Sequence, residues 1–293
     1  MSINTILSPV AGCMRWGVWG ADFSVNEYQA MIEACLQNGI TSFDHADIYG
    51  GYTTEAGFGE VLKGNSSLRN QLKIITKCGI KMTAPNRPAH AIKSYDTSRE
   101  HIIASVERSL ENFATDHIDV LLIHRPDPLL DPAEVAETIA LLKKQGKVLS
   151  FGVSNFVPHQ VDLLSSYTLL EYNQLEVSVM QPAPFTDGTL DNCMKHKITP
   201  MAWAPLGGGV FTDDSHPRSR SIISTASSLS EKYNTGINEI LLAWLHTHPS
   251  GIVSVIGTTK IERLLQAKAA ASIRLEREDW FRLLEASTGS AVA

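Results

Sequence analysis

Cysteine is scarce in this chain, and the four present, Cys13, Cys35, Cys78 and Cys193, stand far apart with no Cys-x-x-Cys pair among them. That spacing argues against a disulfide framework and against a thiolate zinc site, so they read as reduced, buried side chains and no metal is expected. Clusters of basic residues are lacking too. Lys and Arg number 25 against 31 Asp and Glu, a net charge of −6, with no cationic block of the kind that neutralises nucleic-acid phosphates. Residues 1–19 carry no early Lys or Arg, and Asn4, Ser8, Pro9 and Arg15 interrupt their apolar residues. This fits neither a signal peptide nor a membrane span, and a cytoplasmic protein without a membrane partner is expected. Internal repeats, low-complexity tracts and long Pro/Gly/Ser linkers are also missing, so residues 1–293 are expected to form one domain, and no obligate protein partner is inferred. No Gly-x-Gly-x-x-Gly follows an early strand. Gly57-Phe58-Gly59 sits inside a helical pattern, which argues against a Rossmann domain.

What is present is 43% hydrophobic and 19% charged residues in 293, enough to bury a large core. Short β-branched or apolar runs alternate with longer amphipathic stretches, the pattern of repeated βα units around a parallel sheet. Eight runs are predicted strands: Gly12–Trp19, Ile40–His45, Lys73–Lys77, Ile118–His124, Leu149–Ser154, Tyr172–Val177, Thr199–Ala204 and Ile252–Gly257. Helix starts are legible at the capping boxes Ser24-Val25-Asn26-Glu27 and Thr97-Ser98-Arg99-Glu100, and at Asp131-Pro132-Ala133-Glu134 with proline in the first turn. Gly39 and Gly146 are helix stops. Two segments, Gly79–Asp96 and Leu206–Ser221 with its Gly207-Gly208-Gly209 run, are too long for plain connections and are expected on the active face of a (β/α)8 TIM barrel.

Three apolar strands end in polar side chains: Phe43-Asp44-His45-Ala46-Asp47-Ile48-Tyr49, Ile74-Ile75-Thr76-Lys77 and Leu121-Leu122-Ile123-His124. In a barrel such ends converge on one mouth. Together they match the needs of carbonyl reduction, in which hydride addition leaves an alkoxide that requires a proton donor. Tyr49 can donate; an ammonium at Lys77 would lower the phenol's affinity for its proton from a pKa of about 10. Asp44 would hold the charge on Lys77, and a neutral imidazole at His124 would orient the carbonyl oxygen. His45 and Asp47 read as supporting or solvated.

These residues, followed by Gly152-Val153-Ser154-Asn155-Phe156, resemble the aldo-keto reductase superfamily from about Gly12 to Arg263. The Asp-His-Ala-Asp-Ile-Tyr-Gly-Gly and His-Arg-Pro-Asp-Pro wording is similar to a bacterial branch of largely uncharacterised oxidoreductases. The resemblance implies a TIM barrel, a catalytic tetrad of Asp44, Tyr49, Lys77 and His124, and a nicotinamide cofactor held by late strand ends. Ser154, Asn155 and Gln174 match the positions that bind the carboxamide. Trp203 stands where many relatives stack a tyrosine on the nicotinamide. Pro205, Leu206, Gly207 and Gly208 match the loop over the pyrophosphate. Gly257, Thr258, Lys260, Arg263 and Gln266 match the adenosine 2′-phosphate and adenine region, which favours NADPH (NADP+) over NADH. Here a Pro-Lys pair common in relatives is replaced by Ile256-Gly257, and Lys260 offers a charge from another position.

For the substrate, taken as a small carbonyl compound, the candidate walls are Trp16, Trp19, Tyr52 and the Gly79–Asp96 loop. Little chain follows Arg263 beyond one helix with Trp280, Phe281 and Leu284, so an open pocket is expected. Arg125, next to His124, reads either as a contact for an acidic substrate or as one half of a surface ion pair with Asp127, the latter preferred. Two other functions stay open: a barrel aldolase using Lys77 as Schiff-base nucleophile, which the nicotinamide-type residues argue against, and a cofactor-binding redox sensor, against which the complete tetrad stands.

Overall fold

A computed structural model describes residues 6–212 and 217–293. Among the described residues the strands are β1 (Val10–Gly12), β2 (Ser42–Asp44), β3 (Lys73–Cys78), β4 (Ile80–Lys81), β5 (Ser94–Tyr95), β6 (Ile118–Ile123), β7 (Val148–Ser154), β8 (Tyr172–Glu176), β9 (Thr199–Trp203) and β10 (Val253–Ile256). Eight of them close into a parallel barrel in the order β1-β10-β9-β8-β7-β6-β3-β2, with helices between them, which is the (β/α)8 TIM barrel. The remaining two, β4 and β5, form an antiparallel hairpin within the long segment 79–96. Among the described residues no helix is long and apolar enough to cross a membrane.

Both faces of the barrel strands are buried, so they read as continuous apolar runs, and the two-residue strand period sorts them into two cores. Val10, Ile75, Val120, Leu122, Tyr172, Met201, Val253 and Val255 pack together inside the barrel. Ile74, Leu121, Ile123, Phe151 and Val153 belong instead to the layers that also contain helix residues. The same period carries the interior side onward: two residues beyond Ile75 is Lys77, beyond Leu122 His124, beyond Tyr172 Gln174 and beyond Met201 Trp203. Each therefore follows an interior residue at the carboxyl end of its strand.

Helix starts and stops behave largely as read. Ser24 caps Val25–Gln37 with the full reciprocal box to Glu27, and Ile32 and Cys35 are buried on its inner face. Asp131 caps Pro132–Lys144, and Gly39 and Gly146 take the left-handed conformation. Gly57 and Gly59 lie in the helix Thr54–Leu62; a Cβ on Gly59 would sit 1.8 Å from the Asn112 carbonyl, so glycine is what lets this helix touch Arg99–Phe113. All four cysteines are buried and unpaired.

Three expectations are corrected. The first strand is Val10–Gly12, not Gly12–Trp19: past Gly12 the chain turns back on itself, with Trp16 N–H donating to the Cys13 carbonyl and Gly20 pressed against Arg15 so closely that a Cβ would fall 2.0 Å from its carbonyl. An apolar run looks alike in a strand and in a turn that plugs a core. The second capping box is displaced by one residue, since Ser98 accepts from His101 N–H while the Thr97 hydroxyl donates to Asp127. Finally, the segment 206–221 is not all loop: the helix Pro217–Lys232 begins within it.

Candidate active site

Lys77 is the hub of the barrel mouth. Its buried Nζ donates to both Asp44 carboxylate oxygens at 2.8 Å, to the His45 carbonyl at 2.7 Å and to the Tyr49 hydroxyl at 3.3 Å. Burial alone would push the ammonium to release its proton, but Asp44 and Tyr49 outweigh it and the group is held above its ordinary range. The Tyr49 and His124 rings meet edge-on with centroids 6.1 Å apart. Burial lowers the proton affinity of His124 well below the usual imidazole range, aided by the cations Lys77, Arg125 and Lys93, so the ring is neutral. Its Nδ1 is buried and has no partner among the described residues.

For Tyr49 the direction differs from the sequence expectation. Burial raises the phenol's pKa, and the lowering by Lys77 does not overcome it. The hydroxyl keeps its proton near neutrality, which suits a donor rather than a base. The expectation considered the ammonium and not the desolvation of the phenolate.

Ser154 and Gln174 are buried, and Asn155, half-buried, has φ 61°, a left-handed conformation that asparagine tolerates better than most residues. Asn155 Nδ2 donates to Ser154 Oγ at 2.8 Å, and Trp203 Nε1 donates to Asn155 Oδ1 at 2.9 Å, so these three form one polar chain across β7 and β9. Asn155 does not cap the following helix, Pro158–Ser165, whose cap is Val157. Gln174 Nε2 donates to Asp44 Oδ1 at 2.7 Å, tying the tetrad carboxylate to a residue 130 positions later.

Beyond β9, Pro205 is buried and Leu206 packs against two core layers, so these two support the loop from below. Gly207, Gly208 and Gly209 all have positive φ, and among the described residues nothing lies within 4 Å of a Cβ at Gly208, Gly209 or Gly257. The missing side chains at Gly208 and Gly257 leave space of the kind through which a phosphate can approach backbone. The Thr258 hydroxyl accepts from Lys260 N–H, while Lys260, Arg263 and Gln266 project exposed from the start of the helix Ile261–Ala270. Open glycine backbone, a helix N-terminus and two exposed cations fit a dinucleotide with a terminal phosphate.

The substrate candidates divide. Trp19 is 42% exposed with its ring 6.3 Å from Tyr49, beside the tetrad. Trp16 is no pocket wall: it is fully buried among Phe23, Tyr28, Phe43 and Phe58, and its indole N–H donates to the Thr258 carbonyl. Tyr52 turns to a separate side cavity of about 170 Å³ that Asp47, Glu55, Arg87 and Arg108 also line, its hydroxyl accepting from Met82 N–H at 2.8 Å. The preferred Arg125–Asp127 ion pair is absent. Asp127 accepts from the Thr97 hydroxyl and Leu129 N–H, while the Arg125 guanidinium lies 5.8 Å from the Trp203 ring. Sequence reading also missed the Gln174–Asp44 bond, because it depends on how distant segments meet.

His45 is no solvated flank. It is fully buried, edge-on to Phe58 and Phe113 at 4.7 and 5.0 Å, with neither ring nitrogen hydrogen-bonded among the described residues. Burial, with help from Lys77, lowers its pKa to about 3. The unfolded chain therefore binds a proton here that the folded chain refuses, and this contribution to stability is complete above about pH 6.5 and is lost as pH falls towards 3. His45→Leu should remove it: between pH 6.5 and 4.5 the variant's unfolding free energy should fall by roughly 2–3 kcal/mol less than the wild type's, measured in urea. Equal acid sensitivity would remove His45 from the account.

With this geometry in place, comparison with known proteins identifies the class. Residues 10–287 match the Aldo/keto reductase family, and the chain belongs to it; it is an oxidoreductase of a family that uses nicotinamide cofactors. Over 283 residues it is 46% identical to "Uncharacterized oxidoreductase YcsN" of Bacillus subtilis, spanning 96% of this chain and 94% of that protein. It is 41% identical over 284 residues to a 6-dehydroglucose reductase of Agrobacterium fabrum, 95% of each chain. Among solved structures, a thermostable aldo-keto reductase, Tm1743, crystallised with the inhibitor epalrestat, matches with a TM-score of 0.76 and 26% identity over 94% of both chains.

Proposed function

We propose that this chain reduces an aldehyde or ketone to an alcohol with NADPH, with Tyr49 as the proton donor. The observation that carries the reading is the single ammonium of Lys77 shared between the Asp44 carboxylate and the Tyr49 hydroxyl. NADPH, when bound, supplies a hydride to the carbonyl carbon. Tyr49 passes its proton to the oxygen as negative charge develops there, and Lys77 stabilises the phenolate left behind. Neutral His124 donates a hydrogen bond that holds the carbonyl oxygen beside Tyr49. The Ser154–Asn155–Trp203 chain would hold the nicotinamide with its polar groups and its aromatic ring. Lys260 and Arg263, with the Thr258 hydroxyl, would hold the 2′-phosphate, which distinguishes NADPH from NADH.

A Schiff-base aldolase is disfavoured by the same hub, because a nucleophilic lysine must be an unprotonated amine and Lys77 is held charged by Asp44 and Tyr49. The similarity to a 6-dehydroglucose reductase supports an aldehyde as the group reduced.

The test is fluorescence titration with NADPH and NADH, followed by consumption assays on an aldehyde and ketone panel. NADPH should bind more tightly, and Arg263→Ala should weaken NADPH by about tenfold, the size of one lost charged hydrogen bond, with much less effect on NADH. Equal losses for both cofactors would rule out Arg263 as the phosphate contact. Cofactor binding without oxidation by any carbonyl compound would rule out the reductase.

A further inference from the structure

Two cations of the barrel mouth adjoin His124 along the chain or across the hub, and they differ in whether a carboxylate pairs with them. Lys77 is neutralised below by Asp44. Arg125, at the carboxyl end of β6, has no ion pair among the described residues, and its guanidinium stands over the face of Trp203. The acid nearest in sequence, Asp127, is turned away to Thr97 and Leu129. Lys93, exposed immediately before β5, also has no ion pair among the described residues. Arg125, next to His124 in the chain, is therefore a cation with no carboxylate partner among the described residues, in a protein whose net charge is −6.

We infer that the mouth beside His124 selects carbonyl substrates that carry a carboxylate, held by Arg125 with Lys93 at the rim. The planar guanidinium, standing over the Trp203 ring, can face a carboxylate with two parallel N–H donors, and no acid among the described residues pairs with it. Lys93, being exposed, acts at longer range and is screened by salt. The turnover side of this inference rests on the reductase reading above; the binding side does not.

The experiment compares 4-carboxybenzaldehyde with its neutral methyl ester, methyl 4-formylbenzoate, and with D-glyceraldehyde as a neutral hydroxylated aldehyde, all with saturating NADPH. The ratio of kcat/KM for acid over ester should exceed one in the wild type, fall by about tenfold or more in Arg125→Ala, and be partly kept in Arg125→Lys. Lys93→Ala should lower it less, and the wild-type ratio should shrink as salt is raised. In parallel, quenching of tryptophan fluorescence by 4-(hydroxymethyl)benzoate reports binding without turnover, and Arg125→Ala should weaken it by about tenfold or more. A wild-type ratio near one, or an Arg125→Ala loss equal for acid, ester and glyceraldehyde, overturns the inference and leaves the reductase reading intact. Arg125-dependent binding of the hydroxymethyl acid with no reduction of any aldehyde supports the anion site and overturns the reductase reading instead. Binding indifferent to Arg125 with no reduction overturns both.

Discussion

Tyr49→Phe is expected to lower the rate of carbonyl reduction by on the order of 10²- to 10⁴-fold while leaving NADPH affinity within about threefold of wild type. The phenol oxygen is what Lys77 Nζ reaches at 3.3 Å, and the ring itself packs against His124 and Trp19, contacts that phenylalanine retains. Lys77 keeps Asp44 and the His45 carbonyl as partners, so the hub survives the change. The loss should therefore fall on the proton-transfer step alone. Single-turnover rates at saturating NADPH isolate it, since KM changes and product release do not enter. Because burial holds the Tyr49 proton firmly, the wild-type rate should not decline through the neutral range as pH rises. Indistinguishable single-turnover rates for the two proteins would mean that another group, with water or His124 the candidates, delivers the proton.

The second large effect is expected at Lys77→Met, on stability as well as on rate. Methionine fills much of the same space but leaves the buried Asp44 carboxylate with the Gln174 amide as its remaining described side-chain partner. Removing one member of a buried ion pair typically costs about 3–5 kcal/mol, because the other charge is stranded away from water. Chemical denaturation should show a loss of that size. In the double variant Asp44→Asn/Lys77→Met no charge is stranded, and much of the stability should return while activity does not. That divergence separates a structural ion pair from a working one. Full activity in the double variant would break the link between this pair and the reaction.

How much of this was legible beforehand depends on which physical rule places each residue. Strand ends are set by a two-residue alternation, so an observer who counts from Leu122 to His124 or from Ile75 to Lys77 needs only the apolar pattern to find both on the interior side. Caps and stops are local as well, and Ser24, Asp131, Gly39 and Gly146 act within a few residues of where they sit. Trp16 was misread for a reason equally physical: periodicity registers that a side chain is apolar, not whether the backbone beneath it extends or turns. The hairpin Ile80–Lys81 with Ser94–Tyr95 escaped because two-residue strands carry too little pattern to register.

The sequence alone determined the barrel, the polar strand ends Asp44, Lys77 and His124 and the absence of a Rossmann motif, because strand period, helix capping and the order of polar strand ends are properties of neighbours along the chain. Tertiary structure decided the rest. Only packing places the Gln174 amide on Asp44, seals His45 between two phenylalanines, withdraws Asp127 from Arg125 and lays that guanidinium over Trp203. Charge partners and proton affinities follow from distance and burial, which depend on where segments far apart in the chain come to rest.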